Sequence, residues 1–208
     1  LAVSKTFPAG RVLDLAGCGQ RRFGENYLQE ALTKISECAT QRPDWRLEWH
    51  FIGPIQSNKT RPIAEHFDWV HSVDRERVAR RLAEQRPPHL APLQVCIQVN
   101  IGAEDTKSGC DPAQASELAH LVAGLPGLRL RGLMAIPRPE TDPAAQQAQF
   151  ARVRELFRHL RAEGLALDTL SMGMSDDLEA AIAQGATIVR IGSALFGRRV
   201  PGPADSPS

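Results

Sequence analysis

Lys5 stands directly after the apolar run Leu1-Ala2-Val3-Ser4, so the element that ends there should hold its stem against other apolar side chains. A lysine in a partly desolvated pocket has a lowered pKa and becomes a nucleophile toward aldehydes. The alternative is a surface lysine at a strand end. Near the other end of the chain, Gly192 and Ser193 follow Arg190-Ile191 and lead into a short helical stretch, Ser193 to Phe196. A glycine lets an anion approach the backbone, a helix start offers free N–H groups, and a serine adds a hydroxyl; together these make a phosphate cradle. An ordinary Gly-Ser turn is the competing reading. Arg190 is two residues before Gly192, so in a strand both face the same side. A buried arginine needs a polar partner. A pyridine nitrogen would serve, and an arginine there would keep it unprotonated; an Asp or Glu in a structural ion pair would serve as well.

Other chemistries fit the sequence less well. His50, His66 and His71 have no metal-ligand spacing such as H-E-x-x-H, so core or surface roles suit them better than a metal. Cys18, Cys38, Cys96 and Cys110 form no C-x-x-C pair and read as idle thiols of a reducing compartment. Ser171 and Ser175 lack the G-x-S-x-G elbow of a hydrolase nucleophile. Asp176, Asp177 and Glu179 read as a helix start, with Ser175 or Asp176 as the cap and Asp176 and Glu179 at capping-box spacing. The net charge is +1, and the basic residues cluster only as the pairs Arg21-Arg22, Arg80-Arg81 and Arg198-Arg199. That gives no electrostatic reason to expect nucleic acid or an anionic membrane as partner. No apolar run approaches the ~18 residues of a membrane span.

The elements that must position these groups alternate along the chain. Strand-like runs occur at Leu1–Ser4, Arg22–Gly24, Trp49–Ile52, Trp69–Val73, Leu93–Val99, Leu128–Ile136, Thr169–Met172 and Thr187–Ile191. Helical stripes lie between them. Val78, Ala79, Leu82 and Ala83 make one, Leu118, Ala119 and Val122 another, and Phe150, Val153, Phe157 and Leu160 a third. Gly185 is placed to end the helix after the seventh run. Eight strands, each followed by helical sequence, predict parallel pairing in an α/β domain, a single (β/α)₈ TIM-type barrel over residues 1–199. An open doubly wound sheet is the alternative, disfavoured because no glycine-rich dinucleotide fingerprint follows the first strand. Residues 200–208, with Pro201, Pro203 and Pro207, read as a disordered tail.

Barrel sites sit at the C-terminal ends of the strands. That rule gathers Lys5, Asn26, His50, Asn58, Asn100, Met134, Ser171, Ser175, Arg190, Gly192 and Ser193 into one shortlist.

Several stretches in order resemble one family. They are Ala2-Val3-Ser4-Lys5-Thr6, Phe23-Gly24-Glu25-Asn26-Tyr27, Trp49-His50-Phe51-Ile52-Gly53 and Gln56-Ser57-Asn58-Lys59. Lys107-Ser108-Gly109, Arg131-Gly132-Leu133-Met134, Ser171 to Asp177 and Val189-Arg190-Ile191-Gly192 follow. The chain resembles, over residues 1 to about 199, the pyridoxal phosphate homeostasis proteins, also called the YggS or proline synthase co-transcribed proteins. The resemblance implies a barrel like the N-terminal domain of alanine racemase, without a second domain. It implies pyridoxal 5′-phosphate (PLP) as a Schiff base on Lys5, phosphate contacts from Ser171, Gly192 and Ser193, and Arg190 at the pyridine nitrogen. Asn26, His50, Asn58 and Met134 complete the expected cofactor pocket. The family has a helix before its first strand; this chain opens at Leu1 in an apolar run, so that segment is expected to be missing here. A cytoplasmic monomer that hands PLP to apoenzymes is the implied biology.

Binding PLP does not by itself make an enzyme. Racemisation needs a base on each face of the substrate carbon. In the alanine racemases the second base is a tyrosine from another domain of a partner chain. Here Tyr27 is the one tyrosine, and no such domain is present. Arginine at the ring nitrogen also weakens the electron sink. Both features favour a carrier without catalytic residues; a weak PLP-dependent racemase and a barrel for some other phosphorylated ligand are the alternatives.

Overall fold

The computed structural model describes residues 1–102 and 108–197. Lys107, the pair Arg198-Arg199 and the tail therefore lie outside the described residues. Seven strands form one parallel sheet in strictly sequential order: β1 (Ala2–Val3), β2 (Arg22–Glu25), β3 (Glu48–Phe51), β4 (Trp69–Val73), β5 (Leu93–Val99), β6 (Leu128–Ala135) and β7 (Thr169–Ser171). A doubly wound sheet reverses its strand order part-way, and this one does not. Helices α1 (Ala9–Gly17), α2 (Leu28–Gln41), α3 (Thr60–His66), α4 (Glu76–Gln85), α5 (Ala115–Ala123) and α6 (Pro143–Ala162) are the crossovers. After β7 come α7 (Leu178–Ala183) and α8 (Ser193–Phe196).

The expected eighth strand is not a ladder. Thr187–Ile191 makes isolated parallel bridges, Ser171 to Ile188 on the β7 side and Ala2 to Ile191 on the β1 side. The cause is how its amides are shared out. Thr187 and Ile188 both donate to the Leu170 carbonyl, Arg190 donates to Gly173, and Ile191 donates to Leu1. With amides divided between two neighbours, no continuous pairing builds up. The segment nonetheless bonds to both ends of the curled sheet.

Alternation sorts the side chains into two layers. Phe23, Trp49, Phe51 and Val70 point outward into a large core with Val12, Ala31, Ile63 and Leu82 of the helices. On the inner face, Trp69, Cys96 and Met134 make a separate small cluster with Ile188. The stripe read from α6 is buried as expected, with Phe150, Val153 and Leu160 fully enclosed and Phe157 nearly so. Each such side chain contributes about 1.5–3 kcal/mol by leaving water.

The cap of α7 differs from expectation. Asp177 holds the N-cap position without a side-chain bond into the helix. Its Oδ1 instead accepts the Met174 N–H at 2.6 Å, tightening the turn that precedes the helix. Gly185, at φ +88°, does follow the helix end as expected.

Candidate functional site

Because the strands are parallel, their C-terminal ends share one side of the sheet; Lys5, Asn26, Asn58 and Asn100 follow the ends of β1, β2, β3 and β5, Ser171 ends β7, and His50 and Met134 lie within β3 and β6. Lys5 is half-buried two residues beyond Val3, and Asn26 two residues beyond Gly24, the partner of Val3 in the ladder. The register thus sets Lys5 and Asn26 at the same level. The Val3 N–H donates to Ile191 O at 2.8 Å, which lays the β1 end against the segment carrying Gly192. Phe7 stacks on Phe196 with centroids 4.9 Å apart, and Arg11 Nη2 donates to Phe196 O at 3.1 Å. Lys5 and the Gly192–Ser193 turn are therefore neighbours across the site.

The backbone around Lys5 is clamped from below. Lys34 of α2 is buried, and its Nζ donates to Ser4 O at 2.8 Å, to Glu25 Oε1 at 2.6 Å and to Glu30 Oε1 at 2.9 Å. Ser4 Oγ also donates to Glu25. Glu30 accepts the Thr6 N–H at 2.6 Å. Thr6 sits at φ +70°, a conformation a β-branched residue adopts only under constraint. Two acidic side chains and one lysine thus fix the residues on both sides of Lys5. Burial pushes the Glu25 carboxyl above its ordinary value, and Lys34 pulls it back. None of Glu25, Glu30 or Lys34 was on the sequence shortlist.

Asn26 is held by close backbone approach. A Cβ on Gly53 would lie 2.2 Å from Asn26 O, so only glycine lets the turn after β3 pass there. Asn26 Oδ1 is buried and accepts no hydrogen bond from the described residues.

Arg190 is enclosed, at 5% exposure. Among the described residues no Asp or Glu pairs with it. Nη1 donates to Ser171 O at 2.7 Å and to Ser171 Oγ at 2.9 Å, and Nη2 donates to Ala135 O at 2.9 Å. A guanidinium has five N–H donors, so Nε–H and the second Nη2 hydrogen find no partner among the described residues. Burial lowers its pKa to about 10, which leaves it a cation at neutral pH. The ion-pair alternative for Arg190 therefore finds no partner among the described residues, where Asp177 acts on it only through its field.

Ser171, expected at the phosphate, is fully buried, with its hydroxyl between Arg190 and His71 Nδ1 at 2.7 Å. Met134 is fully enclosed in the inner cluster. His50 is buried, its ring stacked on Trp69 at 5.3 Å and its Nδ1 2.8 Å from His71 Nε2. Gly192 is half-buried, and a Cβ there would meet nothing closer than Val3 O at 3.4 Å. Ser193 is exposed at the start of α8. Asn58 and Ser175 are exposed on their turns, and Asn100 is half-buried at the β5 end.

Burial pushes both histidines below the ordinary 6.5, His71 well below. The unfolded chain then takes up protons below pH 6.5 that the folded chain refuses. Stability should be complete above that pH and fall as pH drops below it, by up to about 1.4 kcal/mol per pH unit for each histidine. Urea midpoints at pH 7.5 and 5.5 check this. The wild type should lose stability between them, and a His50→Gln/His71→Gln variant should lose much less; equal slopes would contradict neutral buried rings.

Comparison with known proteins adds an independent line. The family model "Alanine racemase, N-terminal domain" matches residues 1–200. The pyridoxal phosphate homeostasis protein of Pseudomonas aeruginosa is 65% identical over 199 residues, covering 96% of this chain and 84% of that protein. The protein of the same name from Escherichia coli K12 is 54% identical, covering 96% and 85%. PipY of Synechococcus elongatus, solved with PLP bound, superposes at a TM-score of 0.86 with 41% identity, covering 95% of this chain and 91% of that one.

Proposed function

Since this chain belongs to the family of pyridoxal phosphate homeostasis proteins, we propose that it binds PLP as a Schiff base on Lys5 and serves as an intracellular carrier of that cofactor rather than as an efficient enzyme. The observation that carries the reading is Arg190: an enclosed cation without a carboxylate partner among the described residues and with donors to spare. A neutral pyridine nitrogen accepts such a donor without asking the arginine to give up its proton. The orphaned Asn26 Oδ1 on the same side suits a polar ligand as well. Among the described lysines Lys5 suits the aldehyde, because Lys34 is sealed in its ion-pair cluster and Lys59 is exposed on the turn after β3.

The remaining roles follow from position. Gly192 and Ser193, beside the β1 end, receive the phosphate. Ser171 acts on Arg190, since its hydroxyl is already engaged there. His50 and Met134 form the floor, and Asn58 and Asn100 belong to the rim. Thr187–Ile191 serves as an eighth stave that closes the curled sheet into a barrel. Bound PLP supplies an electrophilic aldehyde and a ring that withdraws electrons; the protein holds it and excludes water. We further propose a cytoplasmic monomer that delivers PLP to apoenzymes. No helix among the described residues is long and apolar enough to cross a membrane.

The test is transfer. PLP-loaded protein mixed with a PLP-free apoenzyme should restore its activity, and PLP should bind far more tightly than pyridoxal by absorbance titration. Gly192→Asp adds bulk and like charge at the phosphate and should weaken PLP binding at least tenfold, with the fold intact by circular dichroism. Equal affinity for PLP and pyridoxal would remove the phosphate site from the account.

A further inference from the structure

Five side chains on the inner face of the sheet form one hydrogen-bonded chain. It begins at Arg190 and passes through Ser171 Oγ at 2.9 Å, His71 Nδ1 at 2.7 Å and His71 Nε2 to His50 Nδ1 at 2.8 Å. It ends where His50 Nε2 meets Glu48 Oε1 at 2.8 Å. Glu48 opens β3 and is partly exposed, so the chain runs from the side carrying Lys5 to the opposite mouth of the sheet. The three residues between the ends are each at most 1% exposed.

The ends fix the direction of every link. Arg190 can only donate, and an ionised Glu48 can only accept. Glu48 is ionised at neutral pH, because the His50 hydrogen bond holds its carboxyl below the ordinary value. His50 must therefore carry its proton on Nε2 and accept on Nδ1. His71 must then donate from Nε2 and accept on Nδ1, which only the Ser171 hydroxyl can supply. Ser171, with its proton committed to His71, turns a lone pair to Arg190. One tautomer of each ring satisfies all four links with both rings neutral; the reverse order would set two lone pairs against each other at Glu48. The planes are fixed too, since His50 stacks on Trp69 and Arg131 lies over Trp69 at 4.7 Å while paired with Asp168.

We propose that His71 and His50 are positioning residues for Arg190: through Ser171 they fix where the guanidinium points and so how it meets the cofactor's ring nitrogen. This rests on the reading of Arg190 given above. A buried His–His pair could serve packing alone, but packing would not require a single proton order ending on a cation with spare donors. Toward Arg190 the two histidines act through another residue, Ser171.

The test uses PLP labelled with ¹⁵N at the ring nitrogen, bound to the full-length protein, with the nitrogen resonance and PLP affinity as readouts. His71→Phe keeps the ring volume and breaks the chain. It should move the resonance toward that of free, weakly bonded pyridine and weaken PLP binding about tenfold, the loss expected for one well-placed hydrogen bond. His71→Gln, whose amide can accept at one end and donate at the other, should restore both. Ser171→Ala removes one oxygen next to Arg190 and should reproduce the Phe result if His71→Phe does not fold. A folded His71→Phe or Ser171→Ala protein with an unchanged resonance overturns the inference. An unchanged resonance in Arg190→Gln would instead overturn the reading of Arg190, and wild type that takes up no PLP would overturn the proposed function.

Discussion

Lys34→Met is expected to destabilise the folded protein by about 3–5 kcal/mol, the cost of leaving a buried charge without its partner. Glu25 is fully buried, and its second oxygen already accepts no bond among the described residues. Removing the Lys34 ammonium takes the cation away from Glu25 Oε1 and strips a donor from the Ser4 carbonyl in the same step. The double variant Lys34→Met/Glu25→Leu should recover most of the loss, since replacing a whole buried pair by apolar groups is often neutral. It should not recover all of it, because the Ser4 hydroxyl and carbonyl still lose partners. Urea unfolding of the three proteins measures both effects. A single-variant cost below about 1 kcal/mol would mean that the pair is no better than an exposed salt bridge. The same variant should loosen PLP binding, because the clamp holds the residues on either side of Lys5.

The second large effect is an absence of turnover. Incubated with L- or D-alanine in deuterated water, the PLP-loaded protein should racemise far more slowly than the ~1 s⁻¹ of ordinary enzymes. In the proposed site Lys5 would serve one face of a bound amino acid. The one tyrosine of the sequence, Tyr27, is 55% exposed rather than turned into the site. A missing general base alone costs ~10²–10⁴-fold. Arg190, if it meets the ring nitrogen as proposed, would compound this, since a cation that keeps its own proton leaves the ring a poorer acceptor of charge. Proton exchange without inversion would fit a single base; racemisation at about 1 s⁻¹ or faster would restore the racemase reading.

Much of the frame was legible in the sequence because local pattern and global fold agree. Leu93–Val99 is apolar, β-branched and bounded by turns, and it is β5 without a residue's difference. The stripes of α4, α5 and α6 carried their 3.6-residue period in plain view. Thr187–Ile191 has strand composition, yet its pairing is split between β7, 17 residues back, and β1 at the other end of the chain, which composition does not report. The positions of the candidate residues were legible where strand ends alone decide: Lys5 and Asn26 follow β1 and β2, and Arg190 and Gly192 close the segment after β7. What depended on register was not. His71 lies in an apolar strand and reads as a core histidine until β4 is set beside β3, with His50 paired to Trp69. Lys34 reads as an ordinary helix lysine. The available signal was its place on one face with Ala31 and Cys38, both buried. Ser171 was placed on the shortlist by its strand end, but its hydroxyl is bonded to Arg190 and His71, an arrangement no motif expresses.

The central claim, that Lys5 holds PLP covalently, is tested most directly by reducing the loaded protein with borohydride and mapping the adduct by peptide mass spectrometry. The chain has four lysines, at positions 5, 34, 59 and 107, so the assignment is unambiguous. The account predicts a reduced pyridoxyl phosphate adduct on the Lys5 peptide and its loss in Lys5→Ala, together with the yellow colour. An adduct on Lys34, Lys59 or Lys107 in place of Lys5, or no adduct on a protein that binds PLP tightly, would contradict it.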